Sequence, residues 1–335
     1  MSNQPPHKLW FDRIGATFRL PLPVAAPLLA FLPFVALLTV GYYLVGRWND
    51  LLSQVPILPV QYVFMLYLTY AARFVTSRTA KLVEYAKSMG LAGDVGAIIL
   101  PFYSLRRTLG IWLLLNLIIE PFYFIFGSPP QYTLLERTLT QVAFFYYLLI
   151  PASFVWPYAY SMYAIYRVGK QPLNLKFYAE DRTLGLRPFG ALSLQLTSTY
   201  MVFPLFGLVL VLLSGIPLSI VPVTVGFVLG GFVLFALPLI SLRKKLVETR
   251  KALLDLITPR YALVSRGILE TDGVHRLEER LSSELGALET IRKDVRQIHS
   301  WPFDVGILAR LVSITVLPLI ITVIAREVIL LTIHV

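Results

Sequence analysis

Long apolar runs alternate with short polar segments along most of the chain, but one polar segment is much longer than the others. An apolar run stops at Ile240 and the last one starts at Val305, which leaves 241–304 as the long polar segment. An apolar run of about 20 residues can cross the roughly 30 Å hydrocarbon core of a bilayer as an α-helix. The pattern therefore predicts an all-α, polytopic integral membrane protein.

Seven transmembrane helices are predicted from these runs. They cover 24–46, 56–75, 105–126, 139–166, 194–213, 222–240 and 305–335. The apolar stretch 191–240 is too long for one span, and Pro217 and Pro222 divide it into a hairpin of two. We expect four segments in order: an amphipathic N-terminal segment (1–23), a six-span domain (24–240), a polar helical segment (241–304) and a last span (305–335).

Composition supports the membrane assignment and excludes several kinds of chemistry. Of the 335 residues, 56% are hydrophobic and 15% are charged, whereas soluble proteins have about 45–50% and about 25%. The chain has no cysteine, which excludes disulfides, thiolate catalysis and cysteine-ligated metal centres. The four histidines are scattered, with no pair at ligand spacing. No cofactor or metal site is predicted.

The positive charge falls almost entirely on one side of the predicted membrane. With the N-terminus and 241–304 on the same side, that side holds 27 of the 30 Lys and Arg residues, and the other side holds Arg47, Arg137 and Arg326. Cytoplasmic loops carry such an excess, so the N-terminus is predicted to be cytoplasmic and the C-terminus extracytoplasmic in a cell membrane. The basic residues flank spans, where they favour anionic lipid, and nucleic-acid binding is not expected.

The segments that flank the early spans have two interpretations each. Residues 1–20 mix aromatic and charged side chains, which fits either a short amphipathic helix on the membrane surface or a disordered tail. Residues 76–93 fit either an interfacial helix or a polar extension of the second span.

The polar segment carries a heptad pattern. Residues 241–257 should continue the sixth span until Pro259 stops or kinks the helix, and a second helix should start near His275. Its apolar residues recur at a and d positions, namely Val274, Leu281, Leu288 and Val295, with Leu277, Ile291 and Ile298 three residues further on. One interpretation is a coiled coil that joins subunits. The other is an intramolecular hairpin in which this helix packs on the extension of the sixth span.

Four residues at the two ends of this segment are predicted to lie at the lipid interface: Arg243, Lys244, Lys245 and Trp301. Basic and tryptophan side chains are enriched at that level of a membrane protein. The chain around Trp301 is expected to form either a mechanical elbow or an ordinary return into the membrane.

Polar side chains inside predicted spans are the main functional candidates, because burying them in lipid is unfavourable. Asn116 and Glu120 lie four residues apart on one face of the third span. The last span holds Ser313, Thr315, Thr322, Arg326 and Glu327. Glu120 could be a cation or proton site, or it could form a structural ion pair with Arg326. The aromatic fourth span could likewise line a ligand pocket or serve packing.

No sequence motif identifies a reaction. The chain lacks HExxH, GxSxG and Walker motifs and has no pair of intramembrane carboxylates. Glu180 and Asp181 lie close to Arg182 and Arg187 in a polar loop, which indicates a cluster of loop salt bridges or, alternatively, acids that serve a membrane enzyme.

The sequence favours a membrane transport protein, specifically a homo-oligomeric ion channel whose last span lines a path for an ion or small solute. The predicted topology is similar to that of the insect chemoreceptor channels, and the similarity is confined to topology. The main alternative is a membrane scaffold or sensor that docks a cytoplasmic partner through the 274–298 helix. A secondary transporter and a membrane enzyme are further alternatives.

Overall fold

Helices joined by loops, without strands, make up the residues that the structure, a computed structural model, describes. Those residues are 9–17, 22–90, 98–122, 133–171, 174–178, 180–213, 221–270, 275–302, 309 and 313. The helices are α1 (Trp10–Thr17), α2 (Leu22–Leu44), α3 (Trp48–Gln54), α4 (Leu58–Ser88), α5 (Leu105–Phe122), α6 (Leu134–Tyr147), α7 (Leu149–Lys170), α8 (Arg187–Leu213), α9 (Val221–Glu270) and α10 (His275–Arg296).

Helix α7 lies at the centre of the bundle and packs against α4, α5, α8 and α9. Aromatic pairs show the direction of each neighbour. Phe64 near the start of α4 stacks on Phe206 of α8, with ring centroids 4.0 Å apart. Tyr85 near the end of α4 contacts Phe189 near the start of α8, at 6.1 Å. Helices α4 and α8 are therefore antiparallel.

Contacts between other neighbouring helices show that these helices are antiparallel as well. The pairs are Phe154–Tyr200 and Tyr158–Thr197 for α7 with α8, Phe203–Phe227 and Leu194–Phe235 for α8 with α9, Trp112–Phe145 and Arg107–Trp156 for α5 with α6 and α7, and Gly41–Leu139 and Phe34–Tyr147 for α2 with α6. Successive long helices therefore alternate in direction along the chain. We call the end where α4 and α7 finish and α8 starts the basic end; it carries Lys87, Arg167, Lys170 and Arg187.

Three helices of the described part are long and apolar enough to cross a membrane: Val55–Ser88, Arg187–Phe206 and Val225–Ile268. The number rises to four if α6 and α7 form one bent span. The predicted first and third spans form the helices α2 and α5, and 305–335 lies outside the described residues apart from two positions. Seven spans are therefore not confirmed.

The predicted fourth span is broken rather than continuous. Helices α6 and α7 meet at Leu148 with a bend of 41°. Pro151 explains the break, because proline lacks an N–H donor and its ring clashes with the carbonyl four residues earlier. The second span is longer than predicted, because α4 runs to Ser88 and so includes most of the polar extension.

The polar segment 241–304 forms a helical hairpin over most of its described length. Helix α9 has 50 residues, or about 75 Å at 1.5 Å per residue, and α10 packs along its second half. Of the two outcomes expected at Pro259, a stop is wrong, because α9 continues to Glu270, and a kink stays a prediction. Pro259 and Asp255 are both exposed, so water can reach the carbonyl that proline leaves unbonded. We call residues 246–296 of this hairpin the arm and the rest of the bundle the body.

The N-terminal helix α1 packs on the body. Phe11 is completely buried, and the Trp10 indole donates a 2.8 Å hydrogen bond to Ser153 Oγ of α7. Arg73 of α4 forms an ion pair with Asp12, and its guanidinium also lies over the Phe11 ring. The apolar face of the predicted amphipathic helix therefore covers protein, and the disordered-tail interpretation is wrong for Trp10–Thr17.

Candidate functional site

Asn116 and Glu120 both lie on α5, one turn apart, as predicted. The Asn116 side chain is buried, and its Nδ2 donates to the Trp112 carbonyl at 2.7 Å. Its Oδ1 is buried and accepts no hydrogen bond from any described residue. Because an unpaired buried oxygen is unfavourable, Asn116 Oδ1 is available to accept a hydrogen bond. The side chain of Glu120 lies outside the described part.

Most of the last-span candidates also lie outside the described residues, namely Thr315, Thr322, Arg326 and Glu327. The proposed pairing of Glu120 with Arg326 lies there too. Ser313 is described and exposed, and its hydroxyl donates to the Ala309 carbonyl at 2.9 Å, one turn earlier. That bond is the ordinary one for a serine within a helix.

A buried network that sequence reasoning missed lies where α7, α8 and α9 meet. The Tyr158 hydroxyl lies 3.2 Å from Thr197 Oγ1 and donates to the Gly231 carbonyl at 3.3 Å. Tyr200 stacks on Tyr158 with centroids 4.4 Å apart and donates to the Phe227 carbonyl at 3.1 Å. We call these five residues the tyrosine crossing.

The hydroxyl groups of the tyrosine crossing form hydrogen bonds within the body. Tyr158 and Thr197 are fully buried, and Gly231 lies so close to Tyr200 that a Cβ there would be 2.5 Å from the ring. Buried aromatic residues with bonded hydroxyls fix helix packing. At this point the aromatic fourth span therefore serves packing, as one interpretation expected. The Gly230-Gly231 pair is the sequence signal, because small residues allow helices to approach closely.

A second buried hydroxyl pair joins α4 and α7. Thr79 Oγ1 donates to Ser161 Oγ at 2.9 Å, and Ser161 in turn donates to the Pro157 carbonyl at 2.7 Å. Both side chains are completely buried. Polar bonds of this kind connect helices within an apolar environment, so they stabilise the body and leave no donor for a solute.

The acidic loop is organised by hydrogen bonds. Asp181 accepts from the amide and hydroxyl of Thr183, at 2.8 and 2.7 Å, and from the amide of Gly185 at 3.0 Å. Partial burial raises the pKa of Asp181, but these bonds outweigh that effect and the net pKa lies below the usual value. None of the ion pairs in the described part involves Glu180 or Asp181. Asp181 therefore shapes the loop.

The loop is fixed to the basic end by backbone contacts. Gly185 has a positive φ of 84°, and its carbonyl accepts a 3.1 Å hydrogen bond from Tyr85 of α4. The His299 amide donates to the Arg182 carbonyl at 3.1 Å, and Pro302 packs against Gly190 at the start of α8. The chain that follows the arm is thus attached to this loop and to α8.

The four predicted interface residues contact protein. The Arg243 guanidinium lies 4.7 Å from the ring centroid of Trp301, which is 37% exposed. Lys245 donates to the Gln171 carbonyl. Lys244 forms an exposed pair with Glu248 at 3.8 Å. These residues fasten the start and end of the polar segment to each other and to the body.

The described a positions of the predicted assembly helix face α9. Leu288, Val295 and Ile298 are buried and Leu281 is half-buried, whereas Ile291 is exposed. Val274 and the side chain of Leu277 lie outside the described residues. The Arg292 guanidinium lies 5.1 Å from the Tyr261 ring centroid of α9. The contacts are those of the intramolecular hairpin, and an intersubunit coiled coil is not confirmed.

Metal binding has no candidate within the described ranges, where no three His, Asp or Glu side chains converge.

Large exposed apolar side chains on the arm are a feature that sequence reasoning missed. Leu256 and Leu263 of α9 are 75% and 69% exposed, seven residues apart and so on one face. Comparisons of the chain with protein-family models, with curated proteins and with solved structures gave no match.

Proposed function

We propose that the chain is a seven-span subunit of an oligomeric ion channel in a cell membrane. Its N-terminus would be cytoplasmic, its C-terminus would be outside, and the last span would line a path between subunits. The observation that carries this proposal is the exposure of Leu256 and Leu263 on the arm. An apolar face in an otherwise polar hairpin fits an interface between copies of the chain.

The alternating helix directions support the multi-pass topology. Helices α2, α4, α5, α6 with α7, α8 and α9 give six consecutive passes if each crosses the bilayer. The Lys and Arg residues at the basic end then face the cytoplasm, in agreement with the charge rule.

The filled tyrosine crossing supports a path outside the body. The hydroxyls of Tyr158 and Tyr200 are bonded to helix carbonyls, and the rings fill the point where three helices meet. A path lined by Ser313, Thr315 and Thr322 would instead require several last spans to meet around a common axis.

Two substitutions test the proposal at the exposed face. Leu256→Glu and Leu263→Glu place charges on that face without touching the buried side of the arm. We expect both to dissociate the oligomer in nanodiscs, measured by native mass spectrometry, and to abolish ion flux in liposomes. Ala262→Glu is the matched control, because Ala262 is exposed on the same helix and faces another direction. Wild-type protein that is monomeric and passes no ion would contradict the proposal.

A scaffold or sensor is the second candidate, and the filled tyrosine crossing favours it as well. The arm would then dock a cytoplasmic partner through Leu256 and Leu263. Leu281 and Leu288 face into the hairpin, so their substitution would disturb the arm itself. A monomeric, non-conducting protein that loses partner binding in Leu256→Glu but not in Ala262→Glu would favour the scaffold.

A further inference from the structure

One face of α7 changes from aromatic to basic as the helix approaches the basic end. Trp156, Tyr160, Tyr163, Arg167 and Lys170 are spaced three or four residues apart, which places them along one side of the helix. Tyr163 is 50% exposed, and Arg167 and Lys170 are exposed as well. Such a gradient matches the passage from hydrocarbon to headgroup at the edge of a bilayer.

The start of α5 adds a second basic group to this face. The Arg107 guanidinium lies 5.6 Å from the Trp156 ring centroid and 6.0 Å from that of Tyr160. Arg167 lies two turns beyond Tyr160 on the same side of α7. We call Arg107, Trp156, Tyr160, Tyr163 and Arg167 the arginine–aromatic patch.

The floor of the patch is held in place from behind. The Trp156 indole donates a 3.0 Å hydrogen bond to the Pro101 carbonyl. Phe102 is almost completely buried and meets the Tyr160 ring edge-on, with centroids 4.8 Å apart. The rings are therefore ordered before a ligand binds, which reduces the entropy lost on binding.

The charges of the patch are not neutralised within the described part of the chain. The ion pairs between described residues join Arg73 with Asp12, Lys244 with Glu248 and Arg260 with Glu284. None of these pairs involves Arg107 or Arg167. A guanidinium that lies over a ring still presents N–H donors at its edge, and these match the oxygens of a phosphate. Exposed tyrosine hydroxyls such as that of Tyr163 can donate to the same group.

We propose that the arginine–aromatic patch binds the phosphate of an anionic phospholipid. The phosphate would lie between Arg107 and Arg167, and the acyl chains would run along Tyr163 and Trp156 towards the bilayer centre. Basic sites between helices on the cytoplasmic side suit such headgroups. The inference rests on the membrane placement of the proposed function and does not depend on ion conduction.

The test measures lipid retention by native mass spectrometry. Purified protein is titrated with phosphatidylglycerol or with phosphatidylcholine of the same chain length. We expect wild-type protein to retain phosphatidylglycerol preferentially and Arg107→Gln/Arg167→Gln to bind it about 30-fold more weakly, since each charge contributes about fivefold. Millimolar glycerol phosphate should not displace the lipid; displacement by it would show a site for free phosphate and overturn the lipid assignment.

Arg78→Gln is the matched control. Arg78 is also exposed, and its guanidinium lies 5.3 Å from the Phe74 ring centroid. An equal loss in this variant would indicate unspecific attraction and would overturn the site, as would unchanged binding in the double variant. Should the double variant not fold, Arg107→Lys and Tyr163→Phe provide the test, with partial loss expected in each. Absence of ion flux would contradict the channel and leave this result unaffected.

Discussion

The tyrosine crossing and the arm solve the problem of burial in opposite ways. At the crossing, Tyr158, Thr197 and Gly231 are buried on all sides, and their polar atoms are bonded to each other. In the arm, one narrow stripe is buried, and another face exposes Leu256 and Leu263.

The difference shows which part of the chain can stand alone. The body derives its stability from contacts among its own helices, and at Gly231 a single added methyl group has no room. The arm has few buried side chains for its length, so its outward face remains suitable for another protein. Substitutions should therefore act on global stability in the body and on local order or association in the arm.

The largest effect is expected from Gly231→Ala. The new Cβ would lie 2.5 Å and 2.7 Å from carbons of the Tyr200 ring, which is stacked on Tyr158 and cannot move away. We expect a loss of about 3 kcal/mol in the free energy of unfolding, measured by thermal denaturation in detergent. Gly230→Ala is the control, because open space surrounds that position. Equal stability of the two variants would show that the crossing is not tightly packed.

A smaller and local effect is expected from Leu288→Ala. Leu288 is buried between the helices of the arm, and its truncation should cost about 2 kcal/mol. Faster hydrogen exchange should be confined to α10 and the second half of α9, and the body should keep its protection. Ile291→Ala removes an exposed side chain of similar size and should change little. Loss of protection throughout the body would contradict the division between the two regions.

The loop between α7 and α8 should respond to acid through Asp181. Because the pKa of Asp181 is lower in the folded protein, its carboxylate stabilises the fold above its ordinary pKa of 3.8, and this contribution is lost as the pH falls through the lower folded value. Asp181→Asn should cost about 1 kcal/mol near neutral pH. In thermal denaturation, the difference from wild type should shrink below about pH 4. A constant difference would contradict this role, and Glu180→Gln is the exposed control.

The smallest effect is expected at the ion pair across the arm. Arg260 and Glu284 meet at 3.0 Å, but the Arg260 side chain is 71% exposed. Exposed pairs contribute about 0–1 kcal/mol because water screens them and their side chains lose entropy. Glu284→Gln should therefore leave hydrogen exchange in the arm almost unchanged. A strong effect would mean that the arm depends on this pair more than on its apolar stripe.

The sequence predicted the helices better than their contacts. Hydrophobic periodicity located α10 at His275 and identified Leu288 and Val295 as apolar contact positions, because burial of a helix face follows from spacing alone. It could not say whether the facing helix belongs to the same chain or to another, since both give the same pattern. The inward packing of α10 on α9 depends on tertiary contacts between the two helices.

The contacts of the candidate site residues were harder to predict, because they join residues that are far apart in the sequence. Asn116 was found because a polar residue in an apolar run stands out, and Arg243 and Trp301 were placed at the lipid interface by residue type. Their pairing with each other joins residues 58 positions apart, which no local pattern reveals. The break at Leu148 was overlooked because Pro151 stands in a run that remains apolar throughout.

The contact of Arg243 with Trp301 means that the chain leaves the body and returns to it at nearly the same place. The arm is therefore an insertion in the topological sense: its two ends are already neighbours. Replacing 247–294 by a short flexible linker would keep the buried Leu246 and Val295 and need not displace α9 within the body. Such a deletion would isolate the body as a unit, and the arm could be exchanged, shortened or fused to another domain without rebuilding the helices that carry it.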